Sequence, residues 1–378
     1  MPVEQIGGSA LEDTRVVIAA GGTAGHVVPA IAVADALRAE GARVSFLGTR
    51  ERAEAELVPS AGYEIDFIKV SGLSRRNPLR AAAAAGRAAV AIRAARKVLA
   101  QRNPDVVLGA GGYVAGPVGL AASRMGIPLV LTEADSHLGL ANRLLASRAE
   151  RVCLAFAIEG REEDPYLVTG RPVPRAILEA DLVAARRRFG IPEPDDCVAV
   201  VGGSLGARSL NETAFLAFSG LEARPFDSVG RPWILHVAGR RDYPELRRRW
   251  EGSGRPERYI LLEYEPHLGE VLAAADLVVA RAGGSVMEIA AAERPAVLVP
   301  YPHATGDHQT TNARWMAAGG AAVVIPDDEL SPEALRETVN ELLEDESGLA
   351  RMSAASRRLA KPDAAERIAR EVLKAARG

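Results

Sequence analysis

Short runs of apolar, mostly β-branched residues alternate along the chain with glycine pairs and longer Ala- and Leu-rich stretches. The pattern occurs four times, twice in each half, and clear copies read RVVIAA-GGTAGH and VAVV-GGSLGARSLN. Such an apolar run predicts a fully buried strand, and the stretch after each glycine pair predicts a crossover helix. The chain is therefore predicted to be an α/β protein with two similar, doubly wound parallel sheets.

Proline-rich segments separate the two halves. Pro172 and Pro174 follow a predicted strand, and Pro192 and Pro194 precede the next one. The chain has 378 residues, more than the roughly 250–300 at which a single core stops growing. We place the first domain at 1–170 and the second at 185–360. We expect the C-terminal helix, 363–378, to pack back onto the first domain.

Composition and charge exclude several classes of protein. Apolar residues make up 48% and charged residues 25%, which rules out disorder as the main state. A net charge of −3 excludes a nucleic-acid-binding polycation, so no nucleic acid is expected as a partner. Cys153 and Cys197 are too few for a disulfide framework and fit a reducing compartment. We expect neither a signal peptide nor a membrane-spanning helix.

Three glycine loops follow predicted strands and open predicted helices. Their glycines are Gly21, Gly22 and Gly25, then Gly109, Gly111, Gly112 and Gly116, then Gly202, Gly203 and Gly206, where Ser204 adds a hydroxyl. Without a Cβ, such a turn lets backbone N–H groups face an anion at a helix N-terminus. None of the loops is a P-loop, and GGTAGH also lacks the GxGxxG spacing. They predict a diphosphate site at the carboxyl ends of two facing sheets, or else only tight strand–helix packing.

Ionisable side chains follow these loops. His26 begins the first helix, whose positive end disfavours the imidazolium, so His26 is expected to be neutral and to act as a base, or else to cap or pack. Glu288 follows Gly283 and Gly284 and could accept hydrogen bonds from a ribose diol, or lie on the surface. Arg281 could face a phosphate or pair locally.

Two histidines in PYPHATGDHQTTN raise the question of a metal ion. His303 and His308 lie near Asp307, but a third ligand is not evident. No metal site is therefore expected.

A basic stretch runs from Arg75 to Arg102. It carries eight cations, with no acid between Asp66 and Asp105, and apolar residues are interleaved with the cations. A basic helix with an apolar face can lie on an anionic membrane surface. The alternative is a solvated helix whose apolar side packs on its own sheet.

The motifs taken together resemble the MurG family of bacterial transferases, which move GlcNAc from UDP-GlcNAc to a lipid-linked muramyl-pentapeptide. The matching motifs, in family order, are GGTAGH, SGLSRRNP, PDVVLGAGGYVAGPVGLAA, GIPLVLTEADSHLGLANRLLA, VTGRPVP, VVGGSLGARSLN, RAGGSVMEIAAAERPAVLVPYPHATGDHQTTNA and GAAVVIPDDEL. The resemblance implies a GT-B architecture of two Rossmann-like domains facing a cleft, metal-independent transfer without a cofactor, and a peripheral enzyme at the cytoplasmic face of the cell membrane.

The resemblance also implies roles for individual residues. The sugar and reacting centre would be lined by Thr23, Ala24, Gly25 and His26, with Asp135 and Glu133 as further candidates for the base. The rest of UDP-GlcNAc would be bound by Gly203, Ser204, Gly206, Arg281, Gly283, Gly284, Ser285, Glu288, His308 and Gln309. The polyprenyl-diphosphate acceptor would be bordered by Gly111, Gly112, Tyr113 and Asn142. The basic stretch would adhere to the membrane.

The sequence departs from the family pattern at several places. Ala24 replaces the second glycine of GGTGGH, and the usual HEQN reads Thr132-Glu133-Ala134-Asp135. The usual Asn-Pro-Val-Arg reads Arg171-Pro172-Val173-Pro174, Leu205 replaces a common Gln, and RAGGSVMEI is one residue short. The departures leave open a relative that acts on a different sugar or acceptor.

The favoured hypothesis is an inverting sugar transfer in which loop N–H groups, rather than a metal ion, meet the charge that develops on UDP. Three alternatives remain. They are another GT-B enzyme, such as a natural-product glycosyltransferase or a UDP-GlcNAc 2-epimerase, a nucleotide-dependent oxidoreductase, and a catalytically silent UDP-sugar-binding relative.

Overall fold

The computed structural model describes residues 13–70, 78–203, 206–220, 231–304 and 307–378. It divides the chain into two compact units. The first unit comprises the residues up to Pro174 together with Lys361–Gly378, and the second comprises Arg175–Ala360.

Strands and helices alternate through most of the chain. The strands are β1 (Arg15–Ala19), β2 (Arg43–Gly48), β3 (Glu64–Phe67), β4 (Val106–Gly109), β5 (Leu129–Glu133), β6 (Arg151–Leu154), β7 (Tyr166–Val168), β8 (Cys197–Val201), β9 (Trp233–Val237), β10 (Tyr259–Leu262), β11 (Leu277–Ala280), β12 (Ala296–Leu298) and β13 (Ala322–Val324). The helices are α1 (Ala24–Ala39), α2 (Glu54–Ser60), α3 (Pro78–Arg102), α4 (Gly112–Arg124), α5 (Leu140–Leu145), α6 (Arg175–Leu178), α7 (Leu182–Phe189), α8 (Arg208–Phe218), α9 (Tyr243–Gly252), α10 (Leu268–Ala274), α11 (Ser285–Ala291), α12 (His308–Ala318), α13 (Pro332–Glu344), α14 (Glu346–Leu359) and α15 (Ala364–Arg377).

The first unit is built on a seven-stranded parallel sheet with the order β3-β2-β1-β4-β5-β6-β7. On β1, Val16 pairs with Val44 of β2 on one side and with Val106 of β4 on the other. The chain therefore winds outward from β1 in one direction and, from β4 onward, in the other. Loops at such a reversal point diverge at the carboxyl ends of the strands and leave room for a ligand.

Helices cover both faces of this sheet, because successive residues of a strand point to opposite sides. Val16 and Ile18 of β1 pack with α1, α2 and α15, whereas Val17 and Ala19 pack with α3, α4 and α5. The C-terminal helix α15 lies against α1 and contributes the buried Ile368, among others, to the first core. Helix α15 thus completes the helical layer on one face of the sheet in the first unit.

The second unit is built on a six-stranded parallel sheet with the order β10-β9-β8-β11-β12-β13. Its reversal point lies between β8 and β11, which are adjacent in the sheet. The core packs α8 and α13 against the buried valines of β8 and β11. Both units are therefore doubly wound α/β units, as the repeated strand–glycine–helix pattern predicts. In the part of the chain that is described, no helix has the length and apolar character needed to span a membrane.

Candidate functional site

The loops after β1 and β4 lie side by side, because these strands are neighbours in the first sheet. Gly112 has φ of +75°, and a Cβ there would overlap the carbonyl oxygen of Gly21 and lie 2.7 Å from its carbonyl carbon. Gly111 has φ of +93°, and its Cβ would lie 2.5 Å from Cδ2 of His26. Both positions therefore need glycine twice over, for the left-handed backbone and for the space.

A buried carboxylate braces the first of these loops. Glu54, the first residue of α2, accepts hydrogen bonds from the N–H of Gly22 (3.0 Å) and from the N–H (2.9 Å) and hydroxyl (2.6 Å) of Thr49. Burial acts to raise the pKa of Glu54, but these hydrogen bonds outweigh burial and hold the pKa below its ordinary value. Glu54 could not be selected from the sequence, because one acid in a charged stretch carries no positional signal.

His26 lies half-buried in the first turn of α1, and its Nδ1 is 3.4 Å from the hydroxyl of Thr23. Burial is the main cause that lowers the pKa of His26, and the positive charge of Arg171 lowers it further. The negative charges of Asp135 and Glu54 oppose this shift without cancelling it. The imidazole is therefore uncharged at neutral pH and chemically able to accept a proton.

The loop after β5 is organised by Glu133, whose side chain is buried. The carboxylate accepts hydrogen bonds from the N–H of Asp135 (3.2 Å), the N–H of Gly139 (2.8 Å) and the side-chain amide of Asn142 (2.9 Å). Burial is the main cause that raises the pKa of Glu133, although these hydrogen bonds act to lower it. Glu133 and Asn142 thus hold the loop that presents the half-buried Asp135.

Arg171, which follows β7, connects two of these loops. Its Nη2 donates to the carbonyl oxygen of Gly25 (2.6 Å), and its Nη1 lies at 3.5 Å from the carbonyl oxygen of Ala134. Arg171, His26 and Glu133 also line one small cavity of about 20 Å³, room for about one water molecule. In the sequence Arg171 differs from the family pattern and carries no further signal, whereas the structure places it beside the predicted base.

The other residues predicted at this edge are more exposed. The side chain of Tyr113, in the first turn of α4, is 61% exposed. Thr23 precedes α1, and Ala24 is the first residue of that helix. The structure thus brings together the predicted reacting-centre residues and the second glycine loop at one sheet edge.

The third glycine loop follows β8 in the second unit. Gly203 and Gly206 have φ of +87° and +92°, and a Cβ on Gly206 would lie 2.5 Å from a carboxylate oxygen of Asp242. Arg241 pairs with Asp242 (2.8 Å) and its guanidinium lies 3.3 Å from the carbonyl oxygen of Gly206. Ser204 lies outside the described residues. The backbone at Gly206 is therefore held against the start of α9.

A buried hydrogen-bonded chain stands behind this loop. The side-chain nitrogen of Asn211 donates to Asp242 (3.0 Å) and to the carbonyl oxygen of Ala238 (2.8 Å). The side-chain oxygen of Asn211 therefore accepts from Nε2 of His236 (3.0 Å). Nδ1 of His236 then accepts from the hydroxyl of Tyr259 (2.6 Å). Burial lowers the pKa of His236 to about 3, so this histidine is neutral and structural.

Arg281, directly after β11, is buried and bonded locally. Its Nη1 donates to Asp327 (2.6 Å) and to the carbonyl oxygen of Val299 (3.1 Å), and its Nη2 donates to the hydroxyl of Ser209. This is the local pairing that the sequence left open. A direct bond from Arg281 to a phosphate stays a prediction.

The loop after β11 lies next to the start of α12. A Cβ on Gly283 would lie 3.9 Å from the side-chain nitrogen of Gln309, whose oxygen accepts from the N–H of Tyr301 (2.9 Å). The buried amide of Asn312, which sequence analysis did not select, donates to the carbonyl oxygen of Ala282 (3.1 Å). The remaining predicted donor residues at these two helix starts are Gly284, Ser285, Glu288 and His308.

The polar stretch before α12 is engaged in local contacts. The carboxylate of Asp307 accepts from the hydroxyl of Thr310 (2.6 Å), and the ring of His303 lies edge-on to that of Tyr301. Within the described ranges, no group of three or more His, Cys, Asp or Glu side chains is placed to hold a metal ion.

Within the described residues the basic stretch forms α3 (Pro78–Arg102), and Arg75 and Arg76 lie outside those residues. Its last cation is paired within the first unit, because Arg102 bonds to Glu64 and to Asp66 (2.6 Å) at the neighbouring β3. Membrane adhesion of the basic stretch, Arg102 included, stays a prediction. Glu64 and Asp66 lie more than thirty residues from Arg102 in the sequence, and strand β3 brings them beside the C-terminal end of α3.

Family models cover both units. The glycosyltransferase family 28 N-terminal domain matches residues 16–154, and the glycosyltransferase family 28 C-terminal domain matches residues 197–368. Two relatives are named UDP-N-acetylglucosamine--N-acetylmuramyl-(pentapeptide) pyrophosphoryl-undecaprenol N-acetylglucosamine transferase. The one from Halorhodospira halophila is 43% identical over 94% of this chain and 96% of its own length. The one from Pseudomonas putida strain KT2440 is 40% identical over 98% and 100%.

Solved structures also align with nearly the whole chain. The crystal structure of Acinetobacter baumannii MurG aligns with a TM-score of 0.74 at 31% identity, over 96% of this chain and 99% of that chain. A UDP-GlcNAc 2-epimerase from Neisseria meningitidis, bound to UDP-GlcNAc, aligns with a TM-score of 0.66 at 13% identity, over 96% and 100%. At that identity the epimerase shares the fold alone.

The contact between the two glycine loops can be tested with a matched pair of glycines. Gly112→Ala introduces both a strained φ and an overlap with Gly21, whereas Gly126→Ala introduces a similar φ of +71° in open space. We expect Gly126→Ala to lower the free energy of unfolding by about 1–2 kcal/mol. Gly112→Ala should cost at least about 2 kcal/mol more, because the loops must separate. Equal losses in urea denaturation would contradict this account of the contact.

Proposed function

The chain belongs to glycosyltransferase family 28 and, within it, to the MurG family, and we propose that it transfers GlcNAc from UDP-GlcNAc to the lipid-linked muramyl-pentapeptide of peptidoglycan synthesis. The observation that carries this proposal is the 43% identity to a transferase of that name over 94% of the chain. The resemblance drawn from the motifs is thereby confirmed. So is the fold class, because both units are Rossmann-like and a GT-B enzyme aligns over nearly the whole chain.

The chemistry is an inverting displacement. An acceptor hydroxyl oxygen forms a bond to the anomeric carbon, the bond from that carbon to the UDP oxygen breaks, and the hydroxyl proton passes to a base. In this proposal His26 is the base, because its imidazole is uncharged, half-buried and at the loop edge. Asp135 is the second candidate, whereas the carboxylate of Glu133 already accepts three hydrogen bonds.

The first unit also carries the proposed acceptor contacts. Gly111 and Gly112 lie at the start of α4, where an acceptor diphosphate would be stabilised by the helix dipole. Tyr113 is exposed beside them and would border the same group. In this proposal Asn142 acts through Glu133 and the loop that they hold.

The second unit carries the proposed donor contacts. The loop after β8, with Gly203, Ser204 and Gly206, would hold the donor diphosphate, and Glu288 would accept from the ribose hydroxyls. The adjacency of Gly283 and Gln309 supports a single donor surface at this sheet edge. Gln309 and His308 would contact the sugar.

We propose that the transfer needs no metal ion. Backbone N–H groups and helix N-termini would stabilise the negative charge that develops on the leaving UDP. Pre-organised electrostatic stabilisation of this kind is usually the largest single contribution to catalysis. The loop after β8 that supports this role is held by Arg241, which lies 3.3 Å from the carbonyl oxygen of Gly206 and pairs with Asp242, so the dipoles of this loop need little reorganisation during the reaction.

A peripheral position at the cytoplasmic face of the membrane fits one surface of the first unit. Helices α3, α4 and α5 form one layer, and their outward sides expose Val90 (66%) and Leu144 (63%). Exposed cations accompany these residues: Arg87, Arg93, Arg96 and Lys97 on α3, with Arg143 and Arg148 nearby on and after α5. Apolar side chains among cations favour an anionic lipid surface. We call this surface the α3–α5 surface.

A UDP-release assay tests the proposed reaction. With UDP-GlcNAc alone the protein should release little UDP, and addition of the polyprenyl-diphosphate muramyl-pentapeptide should start steady release that a chelator does not slow. UDP-GlcNAc consumption without the lipid acceptor would favour the epimerase alternative. Release only with another sugar alcohol would mean a different acceptor, and loss of activity with the chelator would overturn the metal-free proposal.

Replacing the proposed base tests the mechanism. We expect His26→Ala to lower kcat by about 10²–10⁴-fold, because general-base assistance is lost. The KM for UDP-GlcNAc should stay near that of the parent, since His26 lies in the first unit and the proposed donor contacts lie mostly in the second. His267→Ala, an exposed histidine of the second unit, is the control. An unchanged kcat for His26→Ala would remove His26 from the catalytic role.

Vesicle co-sedimentation tests the α3–α5 surface. The protein should bind phosphatidylglycerol vesicles, bind phosphatidylcholine vesicles weakly, and dissociate as salt is raised. The double variant Val90→Glu, Leu144→Glu should lose most of this binding. Val183→Glu, which changes a valine that is 53% exposed on the second unit, should not. Equal binding by all three proteins would place the membrane contact elsewhere.

A further inference from the structure

Arg171 joins loops that follow three different strands of the first sheet. It lies after β7, and its guanidinium donates to the carbonyl oxygen of Gly25, after β1 (2.6 Å), and to that of Ala134, after β5 (3.5 Å). A planar guanidinium can hold two carbonyl oxygens in fixed directions, which a lysine ammonium cannot do with the same geometry. The Arg171 side chain thus connects segments that follow β1, β5 and β7 at the carboxyl ends of these strands, where the predicted reacting centre lies.

Gly25, whose carbonyl oxygen accepts from Arg171, immediately precedes His26 in the chain. A hydrogen bond to the carbonyl of Gly25 fixes the peptide that enters the first turn of α1, and with it the direction in which the imidazole projects. His26 and Arg171 also line the same small cavity, together with Glu133. The guanidinium therefore acts on His26 through the backbone and through its charge.

Charged groups surround the imidazole from several elements. Arg171 contributes a positive charge from the loop after β7, Asp135 a negative charge from the loop after β5, and Glu54 a negative charge from α2. Glu133 lies in the cavity wall. After burial, Arg171 is the next cause that lowers the pKa of His26, and the two carboxylates act in the opposite direction. Loss of Arg171 would remove the positive charge that opposes those carboxylates.

We propose that Arg171 is a positioning residue of the sugar transfer, which orients His26 through the carbonyl of Gly25 and keeps a positive charge beside the imidazole. The inference rests on the proposed function, since it takes His26 as the base. An arginine that served only as a tie between loops would affect folding and the rate at every pH alike. An arginine that also maintains His26 as a base would in addition set the pH at which activity is lost.

The pH profile of kcat/KM separates these roles. The acid limb reports protonation of the free enzyme's base. In Arg171→Gln the plateau should fall about 10- to 100-fold because orientation is lost, and the acid limb should move to higher pH because a charge that opposes protonation is gone. Arg171→Lys keeps the charge, so its acid limb should stay near that of the parent although its plateau falls. An unmoved acid limb in Arg171→Gln would overturn the proposal.

Arg175→Gln is the matched control. Arg175 lies four residues along the chain, is exposed and pairs with Glu179, so its loss should change neither the plateau nor the acid limb. If Arg175→Gln moved the acid limb as far as Arg171→Gln does, the shift would follow from the loss of any positive charge on the protein, and the positioning role of Arg171 would be contradicted.

A direct titration of His26 by NMR tests the proposal without measuring activity, and it uses two variants, Arg171→Gln and Asp135→Asn. The midpoint for His26 should rise in Arg171→Gln and fall in Asp135→Asn, which removes an opposing carboxylate. If Arg171→Gln does not fold, an unchanged midpoint in Asp135→Asn would contradict the charge balance. If the parent protein shows no transfer to the muramyl acceptor while both midpoints move as stated, the proposed function fails and the link between Arg171 and His26 stands.

Discussion

The first unit depends on the close approach of two backbone loops at the reversal point of its sheet. Gly112 can start α4 where it does only because no side chain separates it from the carbonyl of Gly21. Gly111, in the same turn, lies against the ring of His26. One steric constraint thereby places a helix N-terminus, a pair of glycine loops and a histidine within one small region, and the proposed chemistry uses all three.

The two units support their glycine loops by different electrostatic means. In the first unit the buried carboxylate of Glu54 accepts three hydrogen bonds and stays ionised. In the second unit the support extends through neutral groups, from Asn211 to His236 and Tyr259, behind the single carboxylate of Asp242. Both arrangements fix the backbone of a glycine loop before a ligand arrives. Such pre-organisation is what electrostatic stabilisation of a leaving diphosphate requires.

Much of the fold could be predicted from local pattern alone. Buried parallel strands and their glycine loops leave a short, repeated signal in the sequence, and His26 could be selected because it directly follows such a loop. Glu54, Arg171 and Asn312 could not be selected in this way. Each acts on a loop that is distant in sequence, so its role depends on which strands become neighbours. The same reason explains Arg102, whose partners at β3 lie more than thirty residues away.

We expect the first unit to hold His26 as an uncharged imidazole at the sheet edge where we propose that the sugar is transferred. The most direct measurement is the NMR titration of this residue in the parent protein, with the resonance assigned by comparison with His26→Gln. The account predicts a midpoint below the value of about 6.5 that a free histidine shows, because burial and a neighbouring cation disfavour the charged ring. A midpoint at or above that value would contradict it.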